Sequence, residues 1–331
     1  MLNFECIIYF EHETKSFVGN YKYVAISSTS YFSNEEEKTE YNGYYLICTY
    51  TADKVPIGVS FITESDKGTI NIPILSVATQ PQHLNDSSIT VCVIPPLLKP
   101  MHEIDLITFL SFHELIGINN FLVYDFGIAN VLNSRLKELS KNNFLQSKFT
   151  YSTVPWNFPF NTININVIKD IIEADCLHRT YNKIMYIAVL SWQEYIVLNY
   201  HNSVINLLAD YKSSKLLADR YKLNTLPFCT EELVNTHSAN STLIMHRKPR
   251  FDRDITDNYP IFISKPYDVL SKSNIYTQRM AKGLILAHRY KICNDIKEIQ
   301  EVTNSNTFIP RFSENITNSR IFLRLTANSS H

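Results

Sequence analysis

Residues 184–190 form a short and almost unbroken apolar run that contains Ile and Val side chains. Such a run predicts a strand that is buried on both faces, as the strands of a parallel sheet are. The run stops at the sequence Ser191-Trp192-Gln193-Glu194. Because ligands of an open α/β sheet bind just outside the carboxyl ends of its strands, we expect Ser191, Gln193 and Glu194 at a ligand-binding rim. The alternative is an ordinary strand end whose polar residues meet water.

The segments that surround this run alternate between strand and helix patterns. Strands are predicted at 89–94, 120–124 and 149–154, and helices at 103–116, 128–139 and 165–180. This alternation is typical of an α/β fold whose parallel strands are joined by right-handed helical crossovers. The second strand ends at Tyr124 and Asp125, so these two residues are expected at the same rim as Ser191 and Glu194.

The chain divides into three regions by pattern. Residues 1–88 are rich in Val, Ile, Tyr and Phe between turn residues, which predicts a small β-rich N-terminal region. Residues 89–300 carry the α/β pattern and form the predicted main domain. Residues 301–331 are predicted to be a polar, loosely packed C-terminal tail.

Composition excludes several functional classes. The 331 residues have a formal net charge of -1, so there is no overall basic field for binding nucleic acid. With 7 glycines, the chain lacks both the P-loop and the dinucleotide-binding glycine patterns. No apolar run reaches the roughly 18 residues of a membrane span, so membrane attachment would require an anchor outside this sequence.

The cysteines and the glycosylation patterns favour a secretory route. The 6 cysteines lie far apart without Cys-x-x-Cys spacing, which disfavours a structural zinc site. Their even number permits disulfides in an oxidising compartment, although the spacing leaves the connectivity open. The acceptor pattern for N-glycosylation occurs at Asn85, Asn240, Asn315 and Asn328.

Two further features have both a structural and a functional interpretation. The basic cluster His246-Arg247-Lys248-Pro249-Arg250 is either a solvated face or a clamp on a pyrophosphate, because Arg and Lys bind phosphate oxygens. Trp156, at the end of the third predicted strand, is either a packing residue or a platform for a sugar ring, and packing is the favoured interpretation.

A series of motifs follows one another along residues 89–293. They are Val91-Cys92 in the first strand, Tyr124-Asp125, Val154-Pro155-Trp156, Asp175-Cys176 with Arg179, the strand at 186–196, the segment 261–276 and His288-Arg289-Tyr290. In this order and at this spacing they resemble the motifs of glycosyltransferase family 92.

That resemblance implies a GT-A fold, in which a Rossmann-like, mostly parallel sheet binds a nucleotide-diphosphate sugar. It also implies an inverting hexosyltransferase of the Golgi membrane or lumen, which moves a hexose, commonly galactose, from a UDP-sugar to a glycan acceptor. A divalent cation, Mn²⁺ or Mg²⁺, would bridge the protein and the diphosphate of the donor. A catalytically inactive relative that binds a nucleotide sugar or a glycan is the alternative interpretation.

The resemblance also implies site residues. The Asp-x-Asp-Glu signature of the family is replaced here by Ser191-Trp192-Gln193-Glu194, and a family His is replaced by Tyr276. The cation would then be bound by Gln193, Glu194 and His288. The donor would be bound by Tyr124, Asp125, Asp175, Arg179, Ser191, Gln193, Arg247 and Lys248.

Overall fold

The computed structural model describes residues 4–17, 23–25, 32–34, 39–41, 44–46, 56–65, 68–76, 88–94, 102–125, 127–141, 149–156, 165–181, 183–229, 250–251, 260–267, 274–291 and 310–326. The chain forms two compact units, Met1–His83 and Leu84–His331. No helix in this described part of the chain has both the length and the apolar character that crossing a bilayer requires.

The first unit is built from short antiparallel strands. These are β1 Phe4–Phe10, β2 Glu13–Phe17, β3 Tyr23–Ala25, β4 Phe32–Asn34, β5 Thr39–Tyr41, β6 Tyr44–Leu46, β7 Gly58–Ser65 and β8 Gly68–Ser76. The largest sheet has the order β2-β1-β7-β8, while β3 pairs with β6 and β4 pairs with β5. Along β1, Cys6, Ile8 and Phe10 are buried and the residues between them are half-buried, which is the period of two expected of a sheet with one covered face.

The second unit is a mixed α/β domain. Its strands are β9 Ile89–Ile94, β10 Asn120–Asp125, β11 Thr150–Pro155, β12 Tyr186–Ser191, β13 Glu194–Leu198, β14 Arg220–Lys222, β15 Thr225–Cys229, β16 Arg250–Phe251, β17 Phe262–Ser264, β18 Thr277–Arg279 and β19 Ile285–Lys291. Its helices are α1 Glu103–Leu115, α2 Asn130–Lys141, α3 Ile165–Thr180, α4 Val204–Ser213, α5 Pro310–Thr317 and α6 Arg320–Thr326.

The main sheet of this unit has seven strands in the order β11-β10-β9-β12-β17-β14-β18. Strands β11, β10, β9 and β12 run parallel to one another, whereas β17 is antiparallel to both of its neighbours. All of β9 is buried, and so is β12 apart from the half-buried Val189. The predicted buried parallel strands at 89–94 and 184–190 are therefore confirmed, in a mostly parallel sheet of Rossmann-like character. A smaller sheet has the order β13-β19-β15-β16.

Alternate residues of β9 pack on opposite faces of the main sheet. Val91 and Val93 belong to the core formed with α1, whereas Cys92 and Ile94 belong to the core formed with α3. A disulfide joins Cys92 to Cys176 and so fastens α3 to the centre of the sheet. Since the helix that follows β9 and the helix that precedes β12 lie on opposite faces, a ligand-binding crevice is expected between the carboxyl ends of these two strands.

Gly117 lies just after the C-cap residue of α1, Ile116, where a glycine following the predicted helix is expected. Its φ of 83° lies in the left-handed region that glycine adopts without steric cost. A Cβ atom at this position would lie 2.8 Å from the Cβ atom of Ser203, which is the N-cap residue of α4. A larger residue here would therefore disturb both the end of α1 and the start of α4.

The expectation of a loosely packed tail is wrong for residues 310–326. They form α5 and α6, which pack against α1 and bury Ile316, Ile321 and Leu325. The apolar residues at positions 321 and 325 lie one helical turn apart and so share a face. Because polar residues surround this short apolar face, the sequence pattern of the segment is mainly polar and does not indicate a packed helix.

The disulfide yields a test of the fold. It joins cysteines with a sequence separation of 84, so its loss should destabilise the protein by about 4 kcal/mol through the entropy of the unfolded chain. We expect a variant carrying Cys92→Ala and Cys176→Ala to show a lower denaturation midpoint than the wild type in non-reducing buffer. In reducing buffer the difference between the two denaturation midpoints should become smaller, because the wild type then loses the same disulfide. Equal midpoints without reductant would contradict a disulfide at this position.

Candidate functional site

The chain turns sharply at the carboxyl end of β12. Trp192 and Gln193 form the turn, and β13 then begins at Glu194 and pairs with β19 in the smaller sheet. The backbone N–H of Ser191 donates to Glu194 Oε2 at 2.8 Å, and Trp192 Nε1 donates to the carbonyl oxygen of Ile94 at 3.1 Å. Trp192 thereby links the carboxyl ends of β9 and β12, the two strands that border the expected crevice.

The residues of this turn are buried. Ser191 is 0% exposed, Gln193 is 2% exposed and Glu194 is 0% exposed. The alternative interpretation, an ordinary strand end whose polar residues meet water, is therefore wrong for these three side chains. The physical reason is that every residue of β13 is buried, so the chain continues through the interior instead of leaving the sheet for solvent.

Glu194 forms two ion pairs inside the protein. Lys169 Nζ of α3 lies 2.7 Å from Glu194 Oε1, and Arg289 Nε of β19 lies 2.6 Å from the same oxygen. Burial raises the pKa of the Glu194 carboxyl, but the two cations and their hydrogen bonds outweigh this effect and lower the pKa to about 2. The carboxylate is therefore charged at neutral pH and connects three elements: α3, β13 and β19.

The predicted cation ligands do not come together. In the pairing of β13 with β19, Glu194 lies opposite Arg289, and Tyr195 lies opposite His288. Since successive residues of a strand point to opposite faces, His288 and Glu194 point away from each other. His288 packs on the Phe228 ring, with the ring centroids 4.7 Å apart, and burial lowers its pKa to about 4.

These residues do not fit a divalent cation. Hard cations prefer several oxygen ligands, but the Glu194 carboxylate already binds two cationic side chains and the backbone N–H of Ser191. Among the residues that the structure describes, no group of three or more His, Cys, Asp or Glu side chains could hold a metal ion. The predicted ligand set of Gln193, Glu194 and His288 is thus corrected: Glu194 is the centre of a buried ion cluster, and His288 is a neutral core residue.

Three of the predicted donor-binding residues do come together. Tyr124 donates to Asp175 Oδ2 at 2.6 Å, and Arg179 Nε donates to the same oxygen at 2.6 Å. Burial, followed by the charge of Asp175, raises the pKa of the Tyr124 hydroxyl well above its ordinary value. The cluster connects β10 to α3 directly beside Cys176. Its Arg179 and Asp175 side chains are 34% and 35% exposed, so it joins the helix to the sheet at a partly exposed position.

The Asp125 side chain stabilises the connection between β10 and α2 through hydrogen bonds. Its Oδ1 accepts hydrogen bonds from the backbone N–H groups of Gly127 and Ile128, each at 3.0 Å. Its Oδ2 accepts from Asn133 Nδ2 at 3.2 Å. The neighbouring Trp156 packs edge-on against the Tyr124 ring, with the centroids 5.9 Å apart, which agrees with the packing role favoured from the sequence.

His246, Arg247 and Lys248 lie outside the described residues. Tyr276, at the position where the resemblance places a His, is 62% exposed and donates its backbone N–H to Asp219 Oδ2 at 3.1 Å.

A cleft that sequence reasoning did not find lies between α3 and strands β12, β14 and β17. Its volume is about 70 Å³, and its lining residues are Lys169, Asp170, Glu173, Val189, Arg220, Pro260 and Phe262. Arg220 donates through one guanidinium nitrogen to both carboxylate oxygens of Glu173 at 2.6 Å, and its guanidinium carbon lies 3.5 Å from the Phe262 ring centroid. Lys169 thus belongs both to the cleft and to the Glu194 ion cluster.

Part of this site was visible in the sequence. Lys169 and Glu173 are four residues apart in a predicted helix and therefore share one of its faces. Arg289 belongs to the motif His288-Arg289-Tyr290, but its pairing with Glu194 depends on the register of β19 against β13. The pairing of Arg220 with Glu173 depends on the arrangement of two distant elements, which local patterns do not encode.

Comparison with known families supports the resemblance seen in the sequence. The family model described as glycosyltransferase family 92 matches residues 87–324. The match begins just before β9 and ends within α6, so it spans the main sheet, the cleft and both C-terminal helices. No curated protein matches the chain.

The ion cluster predicts a large cost for removing its carboxylate. Replacing Glu194 by Gln leaves two buried cations beside a neutral group, which should lower the free energy of unfolding by about 3–5 kcal/mol. Chemical denaturation measures this loss. The matched control is Asp210→Asn, since Asp210 pairs with His201 at 2.9 Å on the surface and should contribute less than about 1 kcal/mol. Similar small losses in both variants would contradict a structural role for Glu194.

Proposed function

Because the chain belongs to glycosyltransferase family 92, whose activity is glycosyl transfer, we propose that it moves a hexose from a UDP-sugar onto a glycan acceptor. We propose galactose as the hexose, inversion at its anomeric carbon, and a GT-A arrangement of the main sheet. The observation that carries this proposal is the meeting of β9 and β12 at their carboxyl ends, within the region matched by the family model.

The geometry of that meeting point supports a nucleotide-sugar site. Parallel strands whose connecting helices lie on opposite faces form a crevice at their carboxyl ends, and nucleotides bind there in open α/β sheets. In this protein Trp192 bridges the two strand ends, and the cleft beside Lys169 lies against the same end of β12. A rigid strand end with a charged cleft is suited to holding a diphosphate in a fixed position.

The proposed reaction exchanges one bond for another at the anomeric carbon. The acceptor hydroxyl oxygen bonds to C1 of the hexose while the bond from C1 to the β-phosphate oxygen breaks. The electron pair leaves with UDP, and the hydroxyl proton passes to a general base. Because negative charge grows on the diphosphate, a fixed positive side chain near it lowers the barrier.

We propose the Golgi lumen or membrane as the place of this activity. The buried Cys92–Cys176 disulfide supports an oxidising compartment, because such bonds form and persist there.

A turnover assay distinguishes a glycosyltransferase from a protein that only binds a nucleotide sugar or a glycan. The purified protein is incubated with a panel of UDP-hexoses and glycan acceptors, and UDP release is measured together with the mass of the acceptor. We expect UDP release that requires both substrates and an acceptor that gains one hexose. If the folded protein binds UDP or a glycan but releases no UDP from any donor, with or without Mn²⁺, it is a binding protein and the proposed activity is wrong.

A further inference from the structure

We propose that Asn315, near the end of α5, is a modification site that carries an N-linked oligosaccharide. The site lies in a part of the second unit that the proposed reaction does not use, so the two proposals can fail separately. Four features carry it: the acceptor pattern, the exposure of the asparagine, the hydrogen bonds of its helix and the place of that helix in the fold.

The acceptor pattern coincides with an exposed asparagine. Residues Asn315-Ile316-Thr317 match the Asn-x-Thr pattern for N-glycosylation. Asn315 is exposed, whereas its neighbour Ile316 is 0% exposed and belongs to the core. Because a packed interior has no room for an oligosaccharide, only an asparagine that faces solvent in the folded protein can carry one. The other acceptor patterns, at Asn85, Asn240 and Asn328, lie outside the described residues.

The hydrogen bonds described at the end of α5 do not use the Asn315 side chain. Thr317 Oγ1 donates to the carbonyl oxygen of Glu314 at 3.0 Å, and the backbone N–H of Asn318 donates to the same oxygen at 2.9 Å. The helix is anchored to the core by Ile316, on another side of the helix from its exposed neighbours. A sugar on Asn315 Nδ2 is therefore compatible with the folded helix.

The helix end that carries Asn315 lies away from the carboxyl ends of the parallel strands. α1 connects β9 to the parallel strand β10, so its last turn lies where β10 begins. Burial raises the pKa of Glu114 in that turn, and the charge of Arg320 opposes the shift, which places Arg320 close to it. Asn315 lies in the last turn of the helix that leads directly to Arg320. An oligosaccharide here would leave the crevice between β9 and β12 open.

The buried disulfide independently supports exposure to the compartment where such oligosaccharides are attached. Cys92 and Cys176 are joined in the structure, and disulfides form and persist in the oxidising lumen of the secretory pathway. A chain that acquires this bond in a eukaryotic cell meets the oligosaccharide-transferring enzyme of the same lumen.

The modification exchanges one bond for another at the amide of Asn315. Its Nδ2 atom bonds to C1 of the first sugar of an oligosaccharide carried on a lipid diphosphate, while the bond from C1 to the phosphate oxygen breaks. The electron pair leaves with the lipid diphosphate, and one amide proton passes to a base. The enzyme of the host cell catalyses this step, and Asn315 is its acceptor.

Mass spectrometry of one peptide tests the proposal. The full chain is expressed behind a cleavable leader peptide in a eukaryotic secretory host and digested with trypsin. Cleavage after Arg311 and Arg320 releases residues 312–320, which contain Asn315 and no other acceptor pattern. Peptide N-glycosidase in heavy-oxygen water converts a glycosylated asparagine to labelled aspartate. We expect the label at Asn315 in the main form of this peptide.

Variants of the same peptide provide the controls. Asn315→Gln and Thr317→Ala should each remove one oligosaccharide, seen as faster migration in gel electrophoresis, because each destroys the acceptor pattern. Thr317→Ser keeps the pattern and should keep the label. The matched control is Asn318→Gln, which changes an exposed asparagine of the same peptide outside the pattern and should also keep the label.

The wild-type peptide alone can overturn the proposal, so the test does not depend on the folding of any variant. An unlabelled Asn315 in the main form of secreted protein, with Cys92 and Cys176 joined, would overturn it and leave the proposed transfer reaction in place. A label at Asn315 that persists in Thr317→Ala would overturn it also. Absence of UDP release from protein labelled at Asn315 would instead refute the proposed transfer and leave the modification site in place.

Discussion

The buried carboxylate of Glu194 determines how the carboxyl end of the main sheet is built. It accepts hydrogen bonds from Lys169 of α3 and Arg289 of β19, and it closes the turn after β12 through the backbone of Ser191. A charge removed from water is tolerated only when opposite charges and hydrogen bonds surround it. The two sheets and the helix α3 are consequently held in one arrangement at the point where an open α/β fold binds its ligand.

This arrangement sets the charge at the strand end where the family resemblance leads one to expect an acidic motif. In a chain with the full Asp-x-Asp-Glu signature, the strand end would carry a high negative charge and attract a cation. Here the position holds Ser191, Gln193 and one carboxylate that is neutralised internally by protein cations. At this strand end the charge of Glu194 is balanced by the neighbouring Lys169 and Arg289.

Local patterns predicted the elements of the second unit well. The predicted helix at 165–180 coincides with α3, and the strands at 89–94 and 120–124 differ from β9 and β10 by at most one residue. The contacts that define the site were not predictable in this way. Glu194 lies 25 residues after Lys169 and 95 residues before Arg289, so its partners depend on how distant elements pack. The face on which His288 lies depends on the register of β19 against β13, which a shift of one residue would reverse.

A double-mutant cycle between Glu194 and Arg289 is the most direct test of the account, because it measures the coupling between the two side chains rather than the effect of either change. Free energies of unfolding are compared for the wild type, Glu194→Gln, Arg289→Met and the double variant. We expect the double variant to be more stable than the sum of the two single losses implies, by a coupling of roughly 2–3 kcal/mol, as for residues in one buried network. Additive losses within about 0.5 kcal/mol would contradict it, since they would mean that Glu194 and Arg289 act independently at this strand end.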